Sequence, residues 1–463
     1  MNNHYQMLVI GGGPAGLAAA TIAANSGVSC ALLDEQPAPG GQIYRAVEQA
    51  PELRAQLLGA DYQRGKSLVE NFRASRAVYF PNTSVWSVNE QREVGVNYQG
   101  DSRIITADHI LIASGAMERP VPFTGWTLPG VMYAGSGQIL FKSAGAIPEK
   151  GVVLAGSGPL LLLLAWQYMR AGVKIKAMLD MTPLGNRIMA LPELPRALLA
   201  YQYLTKGMTL QRELKQAGVK IKNLVSDLRA EGDGQLERVC YRHRGREHTI
   251  ETDLLMTHFG VIPHVWLTQA AGCRHLWNES QQCWHPQHDE WGATSIEGIF
   301  VAGDGAGIFG AKSAEYAGYL AGLQMSYAAG AVTRGERNQQ AIVYRKAMKR
   351  DRHIRPFLES YFHIPREILA VQNNDTVVCR CEEITAGQIR EAVANGHQDS
   401  NQVKYFTRCG MGPCQGRQCA QAVAHIVADA GGKSVSGQSC FRGRPPVTPL
   451  NLEQLAKMKR RQR

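Results

Sequence analysis

The chain has 463 residues, 44% of them hydrophobic, with 48 glycines and a formal net charge of +11. That length exceeds what one hydrophobic core organises and predicts two or three domains of ordinary α/β composition. Five of the 50 basic residues crowd the last seven positions, so the charge reads as a basic tail. With no recognition helix, RNP motif or aromatic–basic interleaving, nucleic-acid binding is not expected.

Met1–Gln6 is polar and Met7 leads straight into an apolar run, unlike a secretory leader. Leu8–Ile10 reads as a buried strand. Gly11, Gly13 and Gly16 follow with G-x-G-x-x-G spacing, Pro14 and Ala15 lying inside the turn. Leu17–Asn25 is Ala-rich and predicts a helix that Gly27 ends. Ser29–Leu33 predicts a second strand, with Asp34 at its end and Glu35 beside it. Glycines at these positions let backbone N–H groups approach a pyrophosphate, and the helix N-terminus adds partial positive charge. A carboxylate at Asp34 accepts from ribose hydroxyls. Strand, turn, helix, strand and acid in this order predict dinucleotide binding. Gly40-Gly41-Gln42-Ile43-Tyr44-Arg45 adds a loop whose backbone is expected close to the cofactor.

The fingerprint alone does not separate FAD from NAD. Ile110-Leu111-Ile112-Ala113-Ser114-Gly115 resembles the strand-plus-Ala-Thr-Gly element of two-dinucleotide-binding-domain flavoproteins, with Ser for Thr. Ile299-Phe300-Val301-Ala302-Gly303-Asp304 resembles their C-terminal flavin element. The resemblance implies FAD, with Asp304 accepting from the ribityl chain. Between these segments Gly151–Ala155 predicts a strand, followed by Gly156-Ser157-Gly158-Pro159-Leu160-Leu161, a helix over Leu162–Arg170, and a strand over Val173–Leu179 ending at Asp180. This is a second βαβ unit, but Leu161 stands where the third glycine permits close helix–strand packing. A modified or empty pocket is therefore the expectation, with NAD(P) or another nucleotide as the alternative. Val152–Trp166 is broken by glycine and too short to span a bilayer. His258 and His264 flank the Gly260–Pro263 turn and are read as structural.

No C-x-x-C occurs before residue 379, so a dithiol relay beside the flavin is not expected. Cys30, Cys240, Cys273 and Cys283 read as small buried residues, and Cys440 has no assigned role. Glu336–Leu369 predicts a helical linker. Thr376–Val378 predicts a strand, Thr385 and Gln388 have capping-box spacing before an Ile389–Ala394 helix, and a further helix is expected near Cys419–Ala430. Five cysteines punctuate this segment: Cys379-x-Cys381, then 32 residues, then Cys414-x4-Cys419, with Cys409 just ahead. Thiolates so spaced among Gly410, Gly412 and Gly416 suit a soft metal centre, either [2Fe–2S] or structural zinc. The pattern resembles the bacterioferritin-associated-ferredoxin-like [2Fe–2S] domain, whose second pair is usually C-x2-C. That resemblance implies Cys379, Cys381, Cys414 and Cys419 as ligands with Cys409 as the odd thiol, while the wider second spacing leaves open whether Cys409 replaces Cys414 or Cys419. Free clustered cysteines predict a reducing, cytoplasmic location, with membrane association through its complex as the alternative.

Three blocks, Asp34–Arg45, Ala155–Leu161 and Thr407–Cys419, resemble the α subunit of the opine oxidase, hydrogen cyanide synthase and proline or hydroxyproline dehydrogenase family over nearly the whole chain. The resemblance implies a two-dinucleotide-binding-domain flavoprotein of the α/β class. Its parts are a Rossmann-like FAD domain (1–125 and 266–335), an inserted NAD(P)-like domain (126–265), a helical linker (336–373), a helical [2Fe–2S] domain (374–435) and a basic tail (436–463). It further implies a flavoprotein β subunit that resembles amino-acid oxidases and oxidises a C–N bond. This chain then relays electrons toward a downstream acceptor. The resemblance is compatible with an FMN at a subunit interface and with a small extra subunit. The alternatives are a stand-alone NAD(P)H-dependent reductase and a cluster-storage protein with a vestigial flavin.

Overall fold

The computed structural model describes residues 1–458; of the basic run, Lys459, Arg460, Arg461 and Arg463 lie outside the described residues. The first sheet has seven strands. In spatial order they are Val78–Phe80, Cys30–Leu33, His4–Ile10, Asp101–Ile112, Glu93–Tyr98 and Thr83–Val88, with Ile299–Val301 paired to the far end of Asp101–Ile112. His4–Ile10 runs parallel to Cys30–Leu33 and to Asp101–Ile112, the arrangement a right-handed crossover through helix Pro14–Asn25 demands. This helix begins a turn earlier than Leu17, because Pro14 at its first position brings a preset φ and lacks only an N–H that would have had no partner.

The second sheet is wholly parallel, in the order Ile221–Asn223, Ile175–Asp180, Val152–Gly156, Leu255–His258 and Val131–Tyr133. A three-stranded antiparallel sheet, Val225–Glu231 with Arg238–His243 and Arg246–Glu251, caps it. Strands Val152–Gly156 and Leu255–His258 are buried along their whole length, as a parallel sheet covered on both faces requires. The chain enters and leaves this lobe through a two-stranded antiparallel ribbon, Ala116–Glu118 against Val261–Pro263. Arg119, buried beside the ribbon, donates to the carbonyls of Phe259, Gln281 and Gln282 at 3.1, 2.7 and 2.6 Å, respectively, from Nε, Nη2 and Nη1.

The linker is not one helix. It comprises Arg334–Asp351, a 3-10 turn at Arg352–Ile354, and helices Arg355–Tyr361 and Arg366–Leu369. The third unit packs Ala386–Ala394, Ser400–Thr407 and Ala420–Ala430 around Ile389, Val403, Val423 and Ile426. Thr385 and Gln388 form the expected capping box, whereas Ser400–Thr407, capped by Asp399, is a helix that the sequence does not announce. The unit is braced against the second lobe. Trp126 Nε1 donates to Val377 O at 2.6 Å, Asn373 Nδ2 to Thr124 Oγ1 at 3.1 Å, and Tyr133 Oη to Gln418 Oε1 at 3.0 Å. The described part of the C-terminal tail also packs. Phe441 is buried among the cysteines, and Val447 N bonds Trp86 O at 2.8 Å.

Candidate flavin site and cysteine cluster

The glycine turn sits at the carboxyl edge of the first sheet. Gly11 adopts φ +109°, and a Cβ there would meet Ala113 O at 2.4 Å; a Cβ on Gly16 would meet Gly11 O at 1.9 Å. These two glycines therefore serve backbone packing. Gly13 is different: a Cβ would meet only Gly41 Cα, at 3.9 Å. Gly13 caps Pro14–Asn25 with no side-chain hydrogen bond, so the first amides of the helix face open space between two glycine loops. Gly40 N bonds Gly12 O at 2.8 Å and ties the second loop to the first. A pyrophosphate fits this cradle by shape and by charge.

Asp34 is buried and lies so close to Gly12 that a Cβ on that glycine would touch its Oδ2. Gly12 is no part of the spaced fingerprint, and only its contact with Asp34 shows its role. Burial pushes the Asp34 carboxyl up to about 6, against a backbone hydrogen bond from Gln36 at 3.1 Å. A carboxylate so desolvated gains from hydroxyl donors, as a ribose supplies. Glu35 beside it is exposed. Gln42 accepts from Arg45 Nη2 at 3.0 Å on its side chain and from Lys142 Nζ at 3.1 Å on its carbonyl. Lys142 is 2% exposed, also donates to Gln138 Oε1 at 2.8 Å, and is pushed down to about 7 by burial. Nothing in the sequence separates it from a solvated lysine.

Ser114 Oγ donates to His264 O at 2.8 Å, and His264 N to Gly115 O at 2.9 Å. Gly303 faces Ala15 so closely that a Cβ on the glycine would stand 2.9 Å from that of the alanine. The fingerprint residues Gly11–Gly16, the Gly41–Gln42 loop, Ala113–Gly115 and Gly303–Asp304 thus converge on one cleft. Asp304 Oδ1 already accepts from Phe309 N and Gly310 N, each at 2.9 Å, which leaves its second oxygen for a ligand. The residues fit a flavin dinucleotide.

At the second glycine loop, Gly156 and Gly158 have φ of +131° and +139°, and a Cβ on Gly158 would meet His258 Nε2 at 2.8 Å. His258 lies buried beneath the loop, its Nδ1 2.8 Å from Glu118 Oε2, while Glu118 Oε1 accepts from Gly135 N at 2.6 Å. Leu161 is buried in the core that joins the lobes. Asp180, at the end of the second strand of this unit, accepts from Thr182 N at 3.0 Å and pairs with Arg187 at 3.3 Å.

The Sγ atoms of Cys379, Cys409 and Cys419 lie within 4.8 Å of one another, all buried. Cys381, exposed, is hydrogen-bonded to the backbone and thiol of Cys414. The pairs close in sequence are therefore not the pairs in space: an inner trio meets an outer pair, and Cys409, the odd thiol by spacing, belongs to the trio. Hydrogen bonds from Cys409 and Cys419, helped by Gly410 N, hold Cys379 as a thiolate with its titration pulled down to about 2. The same contacts push Cys409 and Cys419 up. Gly410 and Gly416 both pack on Phe441, and Gly412 lies against Cys381. One sulfur pulled toward ionisation among soft neighbours suits a thiophilic metal centre.

The family model for pyridine nucleotide-disulphide oxidoreductases matches residues 5–332, and that for the sarcosine oxidase A3 domain matches residues 373–458. The opine oxidase A-subunit of Rhizobium meliloti is 41% identical, the match covering 99% of this chain and 88% of that one. This chain belongs to the opine oxidase A-subunit family of flavin-dependent oxidoreductases. Its likeness extends to the hydrogen cyanide synthase subunit HcnB of Pseudomonas aeruginosa, 32% identical over 96% of both chains. Its fold is that of the L-proline dehydrogenase from P. horikoshii, with TM-score 0.70 at 20% identity, covering 98% of this chain and 79% of that one. Membership agrees with FAD in the cleft built by Gly11–Gly16. Among the described residues no helix is long and apolar enough to cross a membrane.

Proposed function

We propose that this chain is the FAD- and [2Fe–2S]-bearing subunit of a multi-subunit amino-acid or opine dehydrogenase. It relays electrons from a flavoprotein subunit that oxidises the C–N bond. The observation that carries this reading is the seam between the flavin cleft and the cysteine loop. His264 bonds Ser114 and Gly115 through its backbone. Burial, then the charge of Arg417, pushes its imidazole down to about 4. Arg417 lies two residues before Cys419 in the cysteine loop. Arg417 also stands 6.0 Å from the ring of Trp266, two residues beyond His264, so the cysteine loop adjoins the segment bonded to the flavin element.

When bound, FAD supplies two-electron chemistry that can be split into single steps, and an iron–sulfur cluster moves one electron at a time. Gly11, Gly13, Pro14, Ala15, Gly16 and Gly41 form the pyrophosphate cradle, with Asp34 and Glu35 at the ribose. Gln42, Ala113, Ser114, Gly115, Gly303 and Asp304 line the rest. Cys379, Cys381, Cys414 and Cys419 are the proposed cluster ligands, and Cys409 is a thiol donor to Cys379. The acid–base chemistry of C–N oxidation falls to the partner. The reading has room for a small extra subunit, an FMN at the subunit interface and a downstream acceptor, and places the complex in the cytoplasm. A stand-alone NAD(P)H reductase would need the Gly156 pocket, whose Asp180 is already paired with Arg187.

Anaerobic spectroscopy tests the assignment. The purified chain should carry stoichiometric FAD and about two irons, with an EPR signal on reduction. An amino acid or opine should bleach its flavin only when the partner is present. Bleaching by NADH alone, or substrate turnover by the single chain at the rate of the complex, would overturn the reading.

A further inference from the structure

Between Asp180 and Ile221 the second lobe carries a helical excursion with an unusual surface. Leu184, Ile188, Met189, Leu191, Leu198 and Leu199 are each 56–67% exposed. Tyr201 and Met208 continue the face on the next helix. Scattered exposed apolar residues need no explanation, but eight large ones within 25 consecutive residues form a patch that a soluble monomer rarely tolerates.

The patch is rigid and preformed. Behind it, Ala197 and Ala200 pack with Ile354, Phe357 and Leu358 in a small core of their own. Asn186 Nδ2 donates to Tyr361 O and His363 O at 3.2 and 2.6 Å. Tyr203 is bonded to Asp351, and Lys206 to Asp61. The alanines and Asn186 point inward, so the leucines, Ile188 and Met189 point away from that core. Within 184–212 the two exposed charges, Arg196 and Arg212, are both cationic and have no hydrogen-bond or ion-pair partner among the described residues; the one acid there, Glu193, is half-buried.

We propose that this face is the docking surface for the oxidase's other subunit, which meets it with an apolar patch rimmed by carboxylates. The inference rests on the functional reading above, in which a partner exists. Two exposed cations are too few for an anionic bilayer, where each contributes only about 1 kcal/mol and clusters of about four or more are needed. A second copy of this chain would bring the same two exposed cations to the contact against a single half-buried acid, Glu193. A rigid, branched-aliphatic face with unpaired cations at its edge suits a permanent protein interface. Its placement is also functional. Helix Arg355–Tyr361, which supports it, follows Arg352, whose guanidinium lies 3.8 Å above the Phe309 ring, and Phe309 N bonds Asp304. A partner seated here stands one helix away from the flavin element.

The test uses the flavoprotein subunit that copurifies with the wild-type chain, identified and then purified separately. Ile188→Asp with Leu198→Asp should weaken its binding roughly 100-fold or more, while FAD content and melting temperature of the chain alone stay at wild type. Leu53→Asp, at an isolated site 69% exposed, should leave affinity unchanged. Arg196→Glu with Arg212→Glu should weaken binding more at low salt than at high. If the double aspartate variant fails to fold, hydrogen exchange on the wild-type chain decides instead: the partner should protect 184–202. Unchanged affinity, or no protection there, overturns the proposal while the functional reading stands. So does a wild-type homodimer, or flotation with phosphatidylglycerol vesicles, that the substitutions abolish while the partner still binds. A wild-type chain that is catalytically complete with no partner overturns both.

Discussion

Replacing Gly13 by valine separates cofactor binding from folding. Gly13 has φ −81° and ψ −178°, extended backbone open to any residue. Its Cβ would find only Gly41 Cα at 3.9 Å. Valine therefore fits the empty cradle, and its cost is that of a poorer helix cap, about 1 kcal/mol. With FAD present, the added methyls occupy the space between the two glycine loops through which the pyrophosphate must approach. Hydrogen bonds to a charged group contribute about 1.5–3 kcal/mol each. Loss of two of them is about 3–6 kcal/mol, or roughly 100- to 10,000-fold in affinity. The assay is flavin absorbance against protein after gel filtration, with titration of FAD into apoprotein and a melting curve of each apoprotein. Gly16→Ala is the counterpart: its Cβ would lie 1.9 Å from Gly11 O, so it should fail as a fold. A Gly13→Val protein that binds FAD with wild-type affinity would refute the assignment of this cradle.

Cys409→Ser should retain iron and the EPR signal while Cys414→Ser loses both; the reverse pattern would reassign the ligands to the buried trio. Asp34 titrates near 6 in the fold against a usual 3.8, so the folded apoprotein holds its proton over that interval and the unfolded chain does not. Apoprotein stability should fall as pH rises from about 4 to 6, by up to about 3 kcal/mol. Chemical denaturation of Asp34→Asn should show no such loss, and equal pH profiles would count against it. Lys142, pushed down to about 7, binds fewer protons folded than unfolded above that pH. Stability should therefore rise by about 2–3 kcal/mol between pH 7 and 9, and Lys142→Met should flatten the rise in thermal melts.

The first βαβ unit is legible because every signal in it is local: an apolar run, glycines at fixed spacing, an alanine helix, an acid. The capping box at Thr385 and Gln388 is legible for the same reason. Strand Asp101–Ile112 shows in the sequence only at its apolar end, since its first half pairs with Glu93–Tyr98 and carries polar residues on one face. The linker reads only as helical, and the break within it falls where Arg355-Pro356 starts a new helix, Pro356 being tolerated only in a first turn. Cys409 is hidden by a deeper limit. Spacing along the chain ranks thiols by sequence distance, while Gly410 at φ +83° turns the loop so that Cys409 faces Cys379, about thirty positions away. Lys142 and Glu118 leave no trace in the sequence because only burial gives them meaning.

The ribbon of Ala116–Glu118 and Val261–Pro263 has the form of a hinge, two thin strands on which a whole lobe could swivel. Here the swivel is bolted. The third unit grips the lobe from outside through Trp126, Thr124 and Tyr133, and Arg119 pins the ribbon's root to three carbonyls. A reductase that presents two substrates in turn to one flavin needs such a joint to move. In this chain the contacts tie the lobe to the third unit on one side and to the ribbon's root on the other, so the lobe stands as a strut between its neighbours. In that strut Leu161 lies in the core that joins the lobes and Asp180 is paired with Arg187.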